Sequence, residues 1–257
     1  MLSPRVVKLG GNELDRPEWV AECARALRRA GPVVVVHGGG HAVSTWSRRL
    51  GLPVEKRDGM RVTTPEIAEI VEMVLGGPIN RLLVSALRAA GLDAIGLSGV
   101  DGGLLTAQPL AGAELGEVGE IVGVRGSLLQ SLLLAGLTPV IAPVAPSLTI
   151  PIRPLNVNAD QAAAAIAAAL GAEELLFVSD VPGFTVDGVA QPTLASAEIE
   201  PMIETGVATG GMAAKLRAAG HALQAGARAV RIGDLDMFEH ATAGTRLLTA
   251  PPAVQPA

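Results

Sequence analysis

Val33-Val34-Val35-Val36-His37-Gly38-Gly39-Gly40 decides the fold. Four consecutive β-branched residues show no polar alternation, so the run reads as a strand buried on both faces, as in a parallel sheet covered by helices. The histidine and glycines then turn the chain into a helix expected to reach about Leu50. Upstream, Arg5-Val6-Val7-Lys8-Leu9 reads as a second strand that turns at Gly10-Gly11. Between the two, Asp15 with Glu18 three residues on has the spacing of a capping box, for a helix ended by Gly31-Pro32.

The alternation continues downstream. Val54 to Thr63 contains Asp58-Gly59 between extended segments, which predicts a hairpin. Thr64-Pro65 predicts an N-cap with proline in the first turn. That helix is expected to end at Gly76-Gly77, with Pro78 opening another that reaches Gly91. Further strands are expected near 94–97, 139–142, 175–178 and 229–232, with helices near 127–135 and 212–225 and an Ala-rich one opened by Asn156 to Asp160 and ending near Leu170. Glu117 to Val122 alternates as a small antiparallel ribbon; Leu104 to Leu115 has no clear register. Strands separated by helices imply βαβ crossovers and an α/β fold with a mainly parallel central sheet. Composition shifts near Gly171, dividing the chain into residues 1–172 and 173–257 as two lobes.

Composition bounds the function. The 257 residues are 49% hydrophobic and 18% charged, which excludes a disordered chain. A net charge of −5 argues against a nucleic-acid footprint. Aromatics are 2% and tyrosine is absent, a poor stock for base stacking. Cys23 is the one cysteine and reads as core packing in a reducing, cytoplasmic setting. No uninterrupted apolar stretch approaches the roughly 18 residues of a membrane span, and the N-terminus lacks a signal-peptide pattern.

Candidate chemistry gathers where strands end. Gly10-Gly11 and Gly38-Gly39-Gly40 let backbone N–H groups approach an anion, and the helices that follow add positive termini. Standard nucleotide fingerprints are missing. His37 and His41 straddle three glycines and do not make a helical metal pair, so no metal ligand set is expected. Lys8 sits inside an apolar strand, where its ammonium needs a cleft. Lys215 lies early in a helix, where a cation opposes the dipole unless an anion binds; an exposed surface lysine is the plainer reading. Asn156-Val157-Asn158-Ala159-Asp160 holds more polar groups than one helix cap requires. Arg61, on the hairpin, has the planar fork that clamps a carboxylate.

These segments occur together, and in the order Val7 to Gly11, Val36 to Gly40, Asp58 to Thr63, Gly96 to Gly99, Asn156 to Asp160, Ser179 to Gly183, and Gly210-Gly211-Met212 with Lys215. With them the whole chain resembles the amino-acid kinase family, and within it the kinases of N-acetylglutamate. The resemblance implies a three-layer αβα sandwich in two lobes. Residues 1–172 would bind N-acetyl-L-glutamate and dimerise, and 173–257 would bind ATP, with Mg²⁺ arriving on the nucleotide. Lys8 and Lys215 would flank the transferring phosphoryl group, and Asp160 would hold both. Gly39, Gly40, Arg61 and Asn156 would contact acetylglutamate. Gly10 and Gly11 would lie at the phosphate. Asp180, Val181, Gly183, Phe184, Thr185, Val207, Thr209, Gly210 and Met212 would line the ATP site.

The expected product is an acyl phosphate of arginine biosynthesis. A first strand so near the start resembles the shorter, homodimeric, arginine-insensitive type. Three rivals stand beside this reading. One is a sibling kinase of carrier-bound aminoadipate or glutamate in lysine biosynthesis, disfavoured by the hairpin motif and the negative charge. Another is a non-catalytic regulator of the same fold. The last is a dinucleotide-dependent oxidoreductase, which lacks its fingerprint.

Overall fold

The computed structural model describes residues 3–11, 13–57, 59–111, 114–149 and 153–249. The first half of the chain runs β1 (Arg5–Leu9), α1 (Pro17–Arg29), β2 (Val33–His37), α2 (Gly40–Arg49), β3 (Lys56–Arg57), β4 (Met60–Arg61), α3 (Pro65–Val74), α4 (Asn80–Ala89), β5 (Ala94–Ser98), β6 (Leu105–Pro109) and β7 (Val118–Val124). It continues with α5 (Gly126–Leu134), β8 (Thr138–Ala142), β9 (Val144–Pro146), β10 (Pro154–Val157), α6 (Ala159–Leu170) and β11 (Glu174–Val178). The remainder is β12 (Thr185–Val186), β13 (Val189–Ala190), β14 (Thr193–Ala195), α7 (Ile199–Glu204), α8 (Gly210–Gln224), β15 (Val230–Gly233) and β16 (Thr245–Leu248).

Among the described residues the central sheet has eight strands in the order β14-β16-β15-β11-β1-β2-β8-β5. All neighbouring pairs are parallel except β15 with β16. Strands from residues 1–172 fill one half of this sheet and those from 173–257 the other. The unpatterned valines explain its two faces. Val6, Val34, Val36 and Ile141 enter a core with Ala-rich α6 and with α8, while Val7, Leu9, Val33 and Val35 pack with α1, α3 and α4 on the other side. Each β-branched residue is thus buried on one face or the other.

β1 lies between β2 and β11, with Leu9 level with both His37 and Val178. The chain adds strands to one side of β1 first and to the other side later, so the crevice at these three strand ends is a topological switch point. A smaller sheet, β6-β7-β10-β9, covers one flank. The expected ribbon is therefore part of a mixed sheet, in which β7 pairs antiparallel with β6 and parallel with β10. It also gives Leu105 to Pro109 the register that the sequence lacked.

Several local expectations need correction. Asp15 does not cap α1: the N-cap is Arg16, which makes no side-chain cap bond, and Asp15 instead contacts the His41 ring. The helices on either side of Gly76-Gly77 are not separated. A π-type turn over Leu75–Ile79 joins them, with Gly77 outside helical angles and Pro78 inside the turn. Residues 65–89 thus form one kinked path, long and apolar enough by composition to cross a membrane. Its Ile67, Ile70, Val71, Val74, Leu83 and Leu87 are spent on the core beneath the sheet. The hairpin forms as β3 and β4, pairing Arg57 with Met60; Asp58 lies outside the described residues. Thr64 caps α3 as expected, its hydroxyl accepting from Ile67 N–H. Cys23 is buried and burial pushes its thiol pKa up. The short strands β14 and β16 and helix α7 carry too little periodicity to be seen in the sequence.

Arg231 on β15 closes the far half of the sheet. It forms a fork with Glu174 of β11 at 2.6 and 3.0 Å and donates to the carbonyls of Met237, His240, Ala241 and Ala243. One buried guanidinium therefore satisfies the acceptors of a whole loop, which explains an arginine in a strand core.

Candidate active site

The two glycine loops touch. A Cβ added to Gly11 would lie 2.6 Å from the Gly39 nitrogen and 3.1 Å from that of Gly40, so any side chain there would push the loops apart. A Cβ on Gly39 would meet Leu75 Cδ2 at 2.5 Å, where the π-type turn presses on the loop. The backbones of two strand ends thus lie against each other with no side chain between them, at the foot of α2. An anion fits such a cradle.

Lys8 projects from β1 on the face covered by α6 and is 7% exposed. Its Nζ lies 2.9 Å from Asp160 Oδ1, but the approach is too oblique for a hydrogen bond, leaving a close ion contact. Asp160 is placed by the cap of α6: Asn158 Oδ1 accepts from Asp160 N–H at 2.8 Å and from Gln161 N–H at 3.3 Å. The polar patch thereby divides its labour, with Asn158 capping, Asp160 facing Lys8 and Asn156 on β10.

Lys215 comes from α8 and lies within electrostatic range of Lys8 and Asp160. Burial lowers its pKa below the usual lysine value and the Lys8 charge lowers it further, while Asp160, Glu13 and Asp180 oppose the shift. Two ammonium groups far apart in sequence therefore feel each other in one partly dry crevice. The N-cap of α8, Thr209, makes no side-chain cap bond, so the first N–H groups of this helix have no cap from its own side chain.

Arg61 is 8% exposed at the other end of the crevice. Its Nη2 donates at 2.7 Å to both the Gly40 carbonyl and Ser44 Oγ, while Nη1 is buried with no partner. A buried guanidinium nitrogen left over is a vacancy for an acceptor. Asn156 Nδ2 donates to Thr63 Oγ1 at 3.1 Å, and Thr63 in turn donates to the Arg61 carbonyl at 2.9 Å. Arg61 and Asn156 together line a cavity of about 160 Å³ with Gly38, Gly39, Gly40 and Lys56.

The residues assigned to ATP lie at the end of β11 and the start of α8, and they are unequal. Asp180, Val181, Thr185, Val207, Thr209 and Gly210 are exposed and Met212 is half-buried. Phe184 is 1% exposed, its ring belongs to the core, and its N–H already donates to Thr245 Oγ1 at 2.8 Å. Gly183 packs on the same threonine, where a Cβ would meet Oγ1 at 2.8 Å. The Phe184 ring and the Gly183 Cα thus pack into the wall behind the exposed residues.

Sequence reasoning missed three polar residues here. Ser44 steadies Arg61. Ser179, level with Gly10 at the end of β11, buries an Oγ without a partner. Glu13 is 4% exposed, its Oε2 has no partner, and that oxygen would lie 2.2 Å from a Cβ on Gly10. A glutamate in the short stretch between Gly10-Gly11 and Leu14 was the one available signal.

Among the described residues, no three His, Cys, Asp or Glu side chains are close enough to hold a metal ion alone. The carboxylates present are hard oxygen donors, and the orphaned oxygen of Glu13 suits magnesium shared with phosphate oxygens.

The likeness to known proteins covers the same ground. Residues 3–234 match the amino acid kinase family. A protein of Chloroflexus aurantiacus named acetylglutamate kinase is 49% identical over 238 residues, 91% of this chain and 93% of its own. One of the same name from Geobacillus kaustophilus is 46% identical over 221 residues, 85% of this chain and 84% of its own. Among solved structures, smu.665 of Streptococcus mutans superposes with a TM-score of 0.84 at 27% identity, over 96% of this chain and 99% of that one. A parallel sheet with touching glycine loops at its switch point, matched over nearly its full length, leaves one assignment: the chain belongs to the amino acid kinase family.

Proposed function

We propose that this chain transfers the terminal phosphoryl group of ATP to the side-chain carboxylate of N-acetyl-L-glutamate, forming N-acetylglutamyl 5-phosphate for arginine biosynthesis. The names of its near full-length relatives support the substrate. The observation that supports the chemistry is the contact of Lys8 with Asp160, with Lys215 in electrostatic range of both, beside two glycine loops.

The acceptor carboxylate, with a reference pKa of about 4.3, is ionised at neutral pH. No general base is needed, which fits a site without a catalytic histidine. One carboxylate oxygen attacks the γ-phosphorus, the bond to the β–γ bridging oxygen breaks, and ADP leaves with that electron pair. The obstacle is anion against anion. Lys8 and Lys215 would stabilise the charge that spreads over the phosphoryl oxygens, and the Gly10-Gly11 and Gly39-Gly40 backbones would position it. Asp160 would keep the two ammonium groups together before the substrates arrive. Arg61, with its unpaired Nη1, and Asn156 would hold the acetylglutamate end. Magnesium bound with the nucleotide would neutralise part of the charge on its phosphates.

In this reading residues 1–172 bind acetylglutamate and 173–257 bind ATP, in the cytoplasm where both occur. Two copies would pair through the first part: β5 is an open sheet edge, and Leu82 on the helix packed against it is 41% exposed. Light scattering of the purified protein measures that. The activity is tested by coupled ADP release with N-acetylglutamate, glutamate, aspartate and carbamate as acceptors. Turnover only with N-acetylglutamate is expected; equal turnover with carbamate, or none with any, refutes the assignment.

A further inference from the structure

Lys8 and Lys215 bring two positive charges to the crevice, and Asp160, Asp180 and Glu13 bring three negative ones. Asp160 has a cation at 2.9 Å. Asp180 is exposed and solvated. Among the described residues Glu13 has no ion pair in contact, only the longer-range charge of Lys215. It is 4% exposed, and Oε2 makes no hydrogen bond. A buried carboxylate with a bare oxygen costs free energy that a cation close to it would offset.

Its position shows where such a cation would sit. The carboxylate fills the space a Gly10 side chain would take, with Oε2 2.2 Å and Oε1 3.3 Å from the position of a Cβ there, beside the first glycine loop. Gly10 shares the face of β1 that carries Lys8, and the Glu13 charge acts on the Lys215 ammonium. The carboxylate therefore lies where nucleotide phosphates would enter, and an anion there would repel them. A cation between the two removes the repulsion. Magnesium keeps several waters and takes one or two carboxylates together with phosphate oxygens, which matches one bare oxygen at the edge of a phosphate cradle.

We propose that Glu13 is a protein ligand, direct or through one water, for the magnesium ion that enters with the nucleotide. The inference rests on the ATP-dependent reading above and adds a residue to it. Gly10 then has a second purpose: any larger residue would displace the carboxylate.

The test uses binding by the full chain. Mn²⁺ affinity of the ADP-saturated protein is read from the free-ion paramagnetic resonance signal, and ADP affinity in EDTA by calorimetry. Glu13→Gln should weaken Mn²⁺ about 10- to 100-fold, the range for loss of a supporting metal contact. ADP binding in EDTA should be unchanged or tighter, because a neighbouring anion has gone. Unchanged Mn²⁺ affinity overturns the proposal, and so does an equal loss of ADP binding with and without metal. Should Glu13→Gln fail to fold, the unaltered protein still decides. Fe²⁺ with ascorbate and peroxide should cut the chain between residues 10 and 14 only when ADP is present. Cutting confined to residues near Asp160 or Asp180 overturns the role of Glu13. If the unaltered protein binds no ADP at all, the kinase reading itself falls.

Discussion

The Lys8 ammonium and Asp160 Oδ1 stand 2.9 Å apart with little of either side chain exposed, bridging the first strand of the sheet to the first turn of α6. The same carboxylate also acts on Lys215. One anion thus serves two cations that would otherwise repel each other in a partly dry crevice.

Asp160→Asn should therefore show itself through Lys215. Lys215 works only while protonated, and its pKa already lies below the ordinary lysine value of 10.5 because of burial and Lys8. Asp160 opposes that shift, so its removal lowers the pKa further. As pH rises, the variant loses the needed proton sooner, and the alkaline limb of the kcat profile moves to lower pH. Rates between pH 7 and 10 at saturating substrates measure this. A limb that does not move excludes Asp160 as the partner that keeps Lys215 charged.

Lys8→Met and Lys215→Met should each lower kcat by about 10²- to 10³-fold, the loss typical of one transition-state donor. Binding of N-acetylglutamate should change much less, since neither ammonium is placed at the Arg61 end. Near-normal turnover in either variant removes that lysine from the mechanism.

Arg61→Lys keeps the charge but loses the fork. Gly40 carbonyl and Ser44 Oγ occupy Nη2, and the free Nη1 is the donor assigned to substrate. A lysine ammonium cannot fill both directions from one carbon stem. KM for N-acetylglutamate should rise about 10-fold or more, a loss of roughly 1.4 kcal/mol or more, in line with one charge-assisted hydrogen bond. KM for ATP should stay within about twofold. Equal rises for both substrates would mean that Arg61 supports the hairpin and not the ligand.

The sequence carried the sheet because Val33 to Val36 and Arg5 to Leu9 can satisfy their burial in only one way, between two helical layers. It carried Thr64 and the glycine loops because caps and close backbone approaches restrict residue type locally. It misled at Asp15 and at Gly76-Gly77. A capping box requires an angle of entry that spacing alone does not contain, and Asp15 is drawn to His41 instead. A Gly-Gly-Pro break can be absorbed by a π-type turn when both flanks pack on one core. Of the site, Lys8, Lys215 and Asp160 were legible through residue type and family motif. Glu13 and Ser44 were not: a lone glutamate or serine beside a glycine loop looks like any exposed polar residue until its burial is known. The inward turn of the Phe184 ring was equally hidden, for adjacency to a motif does not fix which way a side chain points.

His37 offers a last check, on how the second glycine loop is held. Its Nδ1 lies 2.9 Å from the Gly38 carbonyl, which can only accept, so Nδ1 carries the hydrogen and Nε2 accepts from Asn80 Nδ2 at 3.1 Å. Asn80 is fully buried and also donates to the Val140 carbonyl at 2.9 Å. A proton on Nε2 would turn that acceptor into a donor facing Asn80, and burial accordingly lowers the pKa from 6.5 to about 4. The unfolded chain takes up its proton near pH 6.5, whereas the folded chain refuses it until near pH 4. Stability from this residue is therefore intact above about pH 6.5 and falls as pH drops toward 4, by about 3 kcal/mol in all. Urea unfolding of the wild type and of His37→Asn at pH 7 and pH 4.5 isolates the effect from that of the carboxylates. The wild type should lose about 2 kcal/mol more than the variant between those two pH values. Equal losses would mean that His37 already carries its proton, or shares it with Asn80, in the folded chain, and the Gly38 loop would then be held by something other than this tautomer.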